Sequence, residues 1–200
     1  MPAASTVPFV GLTGGLGSGK STALEALRRL GAEVLSSDAV VHELYEGEQL
    51  RDVVVARFGA EVAPGGVVDR AAVARRAFAS DEDRKWLEGQ VWPLVGARVA
   101  RWLEQARSMQ PPPPAAVVEV PLLFEAGLDQ LYDATIAVVS DESVRQQRAA
   151  ARGHASVDER AARQLSQQEK ARRAAFVVRN DGSVEDLERE LSAVLGKLGG

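Results

Sequence analysis

The run Gly14-Gly15-Leu16-Gly17-Ser18-Gly19-Lys20-Ser21 satisfies the pattern G-x-x-x-x-G-K-[ST] without a mismatch. The chemistry of such a run is the binding of a nucleoside triphosphate. Glycines let consecutive backbone N–H groups turn toward a polyphosphate, because no Cβ blocks close approach or a positive φ. Lys20 is placed to reach the β- and γ-phosphates, and the Ser21 hydroxyl to ligate Mg²⁺. Gly15, Gly17, Ser18, Gly19, Lys20, Ser21 and Thr22 form the expected phosphate-contacting set, at the positive end of the helix that follows.

Further residue types can act on a phosphate so held. Asp38 can accept a proton from an acceptor hydroxyl or orient it toward the γ-phosphate; in the same position it can also serve as the N-cap of a helix over Ala39 to Tyr45. Glu119, near the end of an apolar run, stands where an acidic residue can face Mg²⁺ or its water shell. Arg145, Arg148 and Arg152 are spaced by three and four, so a helix would bring them to one face, where they can neutralise phosphate charge. The amide of Asn180 can meet a nucleotide base.

These residues need elements to carry them. Val7 to Leu12 predicts a strand before the glycine run, and Ser21 to Leu30, with Leu24, Leu27 and Leu30 at helical spacing, predicts a helix after it that Gly31 ends. Ala32 to Ser36, Ala115 to Val120, Tyr132 to Val139 and Phe176 to Arg179 predict further strands. In an open α/β sheet ligands bind beyond the carboxyl ends of the strands, which is where the glycine run, Asp38, Glu119 and Asn180 fall.

Residues 49–110 differ in character. Leu50, Val53, Val54 and Phe58 pattern as a helix ended by Gly59, Asp69 and Ser80 start further helices, and Trp86, Trp92 and Trp102 read as packing residues. His42 can touch substrate or sit on its helix surface, and Arg70, Arg75 and Arg76 can face a negatively charged substrate or lie on solvated helix faces. Pro111 to Pro114 predicts an extended connector. Beyond Arg152, Gly153 breaks the helix, and Ser156 with Glu159 forms a capping box for a return helix bearing Arg160, Arg163 and Gln164. The expected architecture is α/β: a P-loop NTPase-type parallel sheet flanked by helices, from a core of 7–48, 115–140 and 175–200. A helical acceptor-binding insertion over about 49–110 and an arginine-rich lid over about 141–174 complete it.

Composition narrows the function classes. A net charge of −4 argues against a basic nucleic-acid surface, and the absence of cysteine excludes disulfides, thiolate zinc sites and cysteine nucleophiles. No stretch suits a signal peptide or a membrane span, so a cytoplasmic protein is expected.

Taken together, these features resemble the dephospho-coenzyme A kinase family over nearly the whole chain. The segments that carry the resemblance are Gly11 to Thr22, Asp38, Gly66 with Asp69-Arg70, Leu87-Glu88 before Pro93, Val120-Pro121-Leu122-Leu123-Phe124-Glu125, Arg148, Arg152, Gln164 and Asn180-Asp181-Gly182. The resemblance implies transfer of the γ-phosphoryl of ATP to the ribose 3′-hydroxyl of dephospho-CoA. Asp38 would lie beside that hydroxyl, Arg148 and Arg152 in the lid, and Asn180 near the adenine. The implied partners are ATP with Mg²⁺ and dephospho-CoA, with no nucleic acid or membrane, in a monomer or weak homo-oligomer. The chain departs from the family at Ser36, Trp92, Glu119, Arg145 and Ala175, where the family commonly has Asp, His, Asp, Gln and Asp. The alternatives are another P-loop small-molecule or nucleoside monophosphate kinase, or a nucleotide switch without phosphotransfer. A guanine-reading Asn-Lys-x-Asp motif is absent.

Overall fold

The computed structural model describes residues 7–151 and 164–199. Arg152 and the expected Ser156 capping box, Arg160 and Arg163 lie outside them. Two compact units are distinguished: Met1–Ser36 with Leu103–Gly200, and Ser37–Trp102.

The first unit is built on a sheet of five parallel strands in the order β2-β3-β1-β4-β5. These are β1 (Phe9–Gly14), β2 (Glu33–Ser36), β3 (Ala116–Glu119), β4 (Ala134–Val139) and β5 (Phe176–Arg179). Strand β1 is central, pairing Leu12 with Glu119 on one side and Gly14 with Val138 on the other. The inner strands are near-continuous apolar runs because helices shield them from water. Helices α1 (Lys20–Arg29) and α8 (Val184–Leu198) supply one layer: Ala23, Leu24, Leu27, Leu187, Leu191 and Leu195 pack on Val10, Leu12, Ile136, Val138 and Val178. The helical spacing at 187, 191, 194 and 195 thus marks a buried stripe. Gly31 ends the first helix as expected: its φ is +88°, and its N–H returns to the Arg28 carbonyl. Ser183 caps α8 in a capping box with Asp186. All five strands run the same way, so Gly14, Ser36, Glu119, Val139 and Arg179 end along one edge of the sheet.

The second unit is helical, with no strand among its residues. It contains α2 (Ser37–Glu46), α3 (Glu48–Phe58), α4 (Arg70–Ala77) and most of α5 (Asp81–Arg107). Leu50, Val54, Phe58, Val62, Val73, Ala77 and Val91 form its core. Asp69 caps α4 by accepting from the N–H groups of Ala71 and Ala72, and Ser80 accepts from Asp83 ahead of α5. Trp86 meets Phe58 edge-on at 5.4 Å, and the Arg57 guanidinium lies 5.5 Å from the Trp86 ring while pairing with Asp83. Trp92 corrects the packing expectation: it is 56% exposed, because its turn of α5 faces water.

Candidate active site

The glycine run leaves β1 at Gly14 and enters α1 at Lys20, so the loop joins a buried strand to a helix N-terminus. Gly17 and Gly19 have φ of +73° and +86°, in the left-handed region where a Cβ is strained. Space is equally restrictive. A Cβ on Gly14 would lie 2.5 Å from the Val138 carbonyl oxygen, and one on Gly17 would lie 2.7 Å from that of Arg145. Among the described residues no side chain caps the N-terminus of α1, and its first turn holds no acidic residue, so none of them competes there for an anion. Lys20 Nζ donates to the carbonyl oxygens of Gly14 and Gly15, each at 3.2 Å, which holds the ammonium across the loop.

A cradle that admits no Cβ, an uncapped helix N-terminus and a lysine drawn over the loop fit a polyphosphate. So does Ser18 Oγ, which is buried without a partner among the described residues. The donor set also suits Mg²⁺ carried by phosphate oxygens. Ser21 is exposed in the first turn of α1, and the described residues contain no group of three His, Cys, Asp or Glu that would cage a metal.

The carboxyl ends of β4 and β5 press on this loop. Arg148, on α6 (Glu142–Ala151), donates from Nη1 to the Asn180 carbonyl at 2.9 Å and to Ser140 Oγ at 3.2 Å. Arg145 donates from Nε to the Leu16 carbonyl at 2.9 Å and pairs with Glu142 at 2.6 Å. Asn180, 4% exposed, donates its amide N–H to the Ser18 carbonyl at 2.9 Å. Lys20, Ser18, Arg148 and Asn180 are therefore brought together around one loop. Asp38 lies two residues past the end of β2, in the second unit, within the first turn of α2 and not at its N-cap. In that unit the expected acidic-substrate arginines have internal contacts: Arg76 pairs with Glu61 at 2.7 Å, Arg75 with Asp69 at 4.0 Å, and Arg70 meets the His42 ring.

Arg145, expected on the arginine face, meets the backbone of the loop. Two residues carry no sequence signal of a site role. Ser140 is only the residue after a strand. Lys170, in α7 (Gln167–Arg173), gave no signal at all, since a lone lysine in Gln167-Gln168-Glu169-Lys170 suggests a solvated helix. It is fully buried, and its ammonium meets Glu125 at 3.0 Å, Thr13 Oγ1 at 3.3 Å and the Pro121 carbonyl. Glu125, the last residue of the Pro-Leu-Leu-Phe-Glu segment, also accepts from the Leu165 N–H at 2.7 Å. Gln167 completes this support by exchanging two hydrogen bonds with the Ser140 backbone, at 2.8 and 2.7 Å.

Comparison with known proteins bears on the same stretch of chain. A family model described as dephospho-CoA kinase matches residues 8–186. A dephospho-CoA kinase of Symbiobacterium thermophilum is 40% identical over 190 residues, covering 92% of this chain and 79% of that protein. A solved structure from Thermus thermophilus, 36% identical, superposes with a TM-score of 0.80 over 97% of this chain and 99% of that one. A dephospho-CoA kinase structure from Campylobacter jejuni, 22% identical, shares the fold with a TM-score of 0.63 over 96% of this chain and 98% of that one.

Proposed function

The chain belongs to the dephospho-CoA kinase family, and on that premise we propose how its residues divide the work of the reaction. The protein is an ATP-dependent kinase that phosphorylates the ribose 3′-hydroxyl of dephospho-CoA, giving coenzyme A and ADP. The observation that carries this reading is that the glycine cradle leading into α1 lies within the matched residues 8–186.

Phosphoryl transfer asks little covalent chemistry of a protein. A bond forms between the 3′-oxygen and the γ-phosphorus as the bond to the β,γ-bridging oxygen breaks, and catalysis is mostly alignment and charge stabilisation. The N–H groups from Gly15 to Thr22 hold the phosphates, with Lys20 over the β- and γ-positions. Ser21 holds Mg²⁺, which neutralises phosphate charge when bound. Asp38 aligns the 3′-hydroxyl and takes its proton as the new bond forms. Arg148 and Arg152 take up charge on the transferring group, and exclusion of water strengthens each of these interactions. The helical segment 49–110 is the acceptor-binding side, and 141–174 the lid. No helix among the described residues is long and apolar enough to cross a membrane.

The test is ATP consumption by purified protein with Mg²⁺, with and without dephospho-CoA, followed by identification of the product. Consumption that depends on dephospho-CoA and yields the 3′-phosphorylated product is expected. No such product at saturating ATP sinks the reading.

A further inference from the structure

The Ser18–Gly19 peptide is held from outside the loop. Its carbonyl oxygen accepts from Asn180 Nδ2 at 2.9 Å and lies 3.3 Å from Ser140 Oγ. The Ser140 hydroxyl has one proton, which it divides between this carbonyl and that of Asn180 at 3.1 Å, while accepting from Arg148 at 3.2 Å. The Asn180 amide is therefore the dedicated donor. Asn180 is itself fixed, with its backbone N–H bonded to the Val139 carbonyl at 2.8 Å and its own carbonyl held by Arg148 at 2.9 Å.

In a trans peptide the C=O and the following N–H point in opposite directions. Drawing the Ser18 oxygen toward the ends of β4 and β5 turns the Gly19 N–H the other way, away from those strand ends. The contact is close enough to exclude a side chain: a Cβ on Gly19 would lie 1.9 Å from Asn180 Nδ2. Gly19 is thus required twice, once for its φ of +86° and once because the amide fills the space beside it.

We propose that Asn180, supported by Ser140, is a positioning residue of the phosphate loop, setting the Ser18–Gly19 peptide so that its N–H faces the nucleotide phosphates. This differs from the base-contacting role that the resemblance implies. It rests on the reading of residues 14–21 as a phosphate loop and not on the identity of the acceptor.

The two roles separate in one experiment on the full-length chain. Asn180→Ala and wild type are compared for affinity for inorganic tripolyphosphate with Mg²⁺, a probe without a base. They are also compared for kcat/KM with ATP and with GTP, and for the KM of dephospho-CoA. Loss of one buried hydrogen bond predicts a fall in tripolyphosphate affinity of about 3- to 10-fold. The falls for ATP and GTP match it, and the dephospho-CoA KM is unmoved. An unchanged tripolyphosphate affinity overturns the proposal, whatever happens to the ATP:GTP ratio; so does an equal loss of dephospho-CoA binding, which marks general damage. If Asn180→Ala does not fold, Ser140→Ala carries the same test with a fall of about 2-fold. A wild-type chain that binds tripolyphosphate but makes no product from dephospho-CoA would sink the kinase reading and leave this proposal standing.

Discussion

Lys170 Nζ lies 3.0 Å from Glu125 Oε1, with the lysine side chain wholly shielded from water. Burial pushes the Lys170 pKa down and Glu125 opposes that shift, while Thr13 and Pro121 supply further oxygens around the ammonium. The pair joins the end of β1, the turn after β3 and the helix α7. Removing one partner leaves a buried charge without its counterion, so Lys170→Met is expected to cost about 3–5 kcal/mol in urea unfolding. Lys170→Met with Glu125→Gln recovers much of that loss. A single-variant cost under about 1 kcal/mol would show that the pair has no structural weight.

The glycines differ in what a side chain would meet. A Cβ at Gly14 would sit 2.5 Å from the Val138 carbonyl and 2.6 Å from Ser18 Oγ, and the Val138 oxygen belongs to the sheet and cannot yield. Gly14→Ala is expected to destabilise the protein by about 1–3 kcal/mol and to weaken ATP binding. A Cβ at Gly96, in α5, would meet nothing within 4 Å among the described residues, so Gly96→Ala should stabilise by about 0.5–1 kcal/mol. Thermal midpoints of the two variants moving in the same direction would contradict this.

Alkaline stability should report on Tyr132. The phenol packs on Phe9 with ring centroids 4.5 Å apart, and burial pushes its pKa from 10.0 up to about 12. Below pH 10 it is neutral in both states. Between pH 10 and 12 the unfolded chain loses this proton while the folded chain keeps it, so stability falls as pH rises. The slope from this group is at most about 1.4 kcal/mol per pH unit. Tyr132→Phe should flatten the wild-type decline across that window in urea titrations; identical slopes would assign the decline to other groups.

The kinetic roles of Lys20 and Asp38 are separable. Lys20→Ala removes charge from the phosphates in ground and transition states and is expected to lower kcat/KM for ATP by about 10²- to 10³-fold. Asp38→Asn should lower kcat by about 10²- to 10⁴-fold while leaving the ATP KM within about threefold. Wild-type turnover in the Asp38 variant would remove it from the mechanism.

Much of the fold was legible because its signals are local. Val10 and Leu12, the stripe at Leu187, Leu191, Val194 and Leu195, and the caps at Asp69, Ser80 and Ser183 depend on nearest neighbours and on helix or strand period. Gly59 likewise ends α3, at a φ of +93°. Trp92 departs from expectation because hydrophobicity does not say which side of a long helix meets water. Asp38 falls inside α2 because backbone hydrogen bonds set where a helix starts, and a capping residue type only favours that point.

The phosphate-binding loop, the alternation of strands and helices, and the family are all readable from the order of residues alone. Those properties reside in contiguous stretches: a glycine run that permits the loop's positive φ values, followed by a lysine and a serine at fixed offsets. How that loop is held is a property of the assembled sheet. Asn180 reaches Ser18 across 162 positions of chain, and Lys170 reaches Thr13 across 157. Such contacts depend on the parallel strand order, which brings the ends of β1, β4 and β5 side by side. An asparagine or a lysine carries no mark of this in its own neighbourhood, so its partner emerges only once the strands have paired.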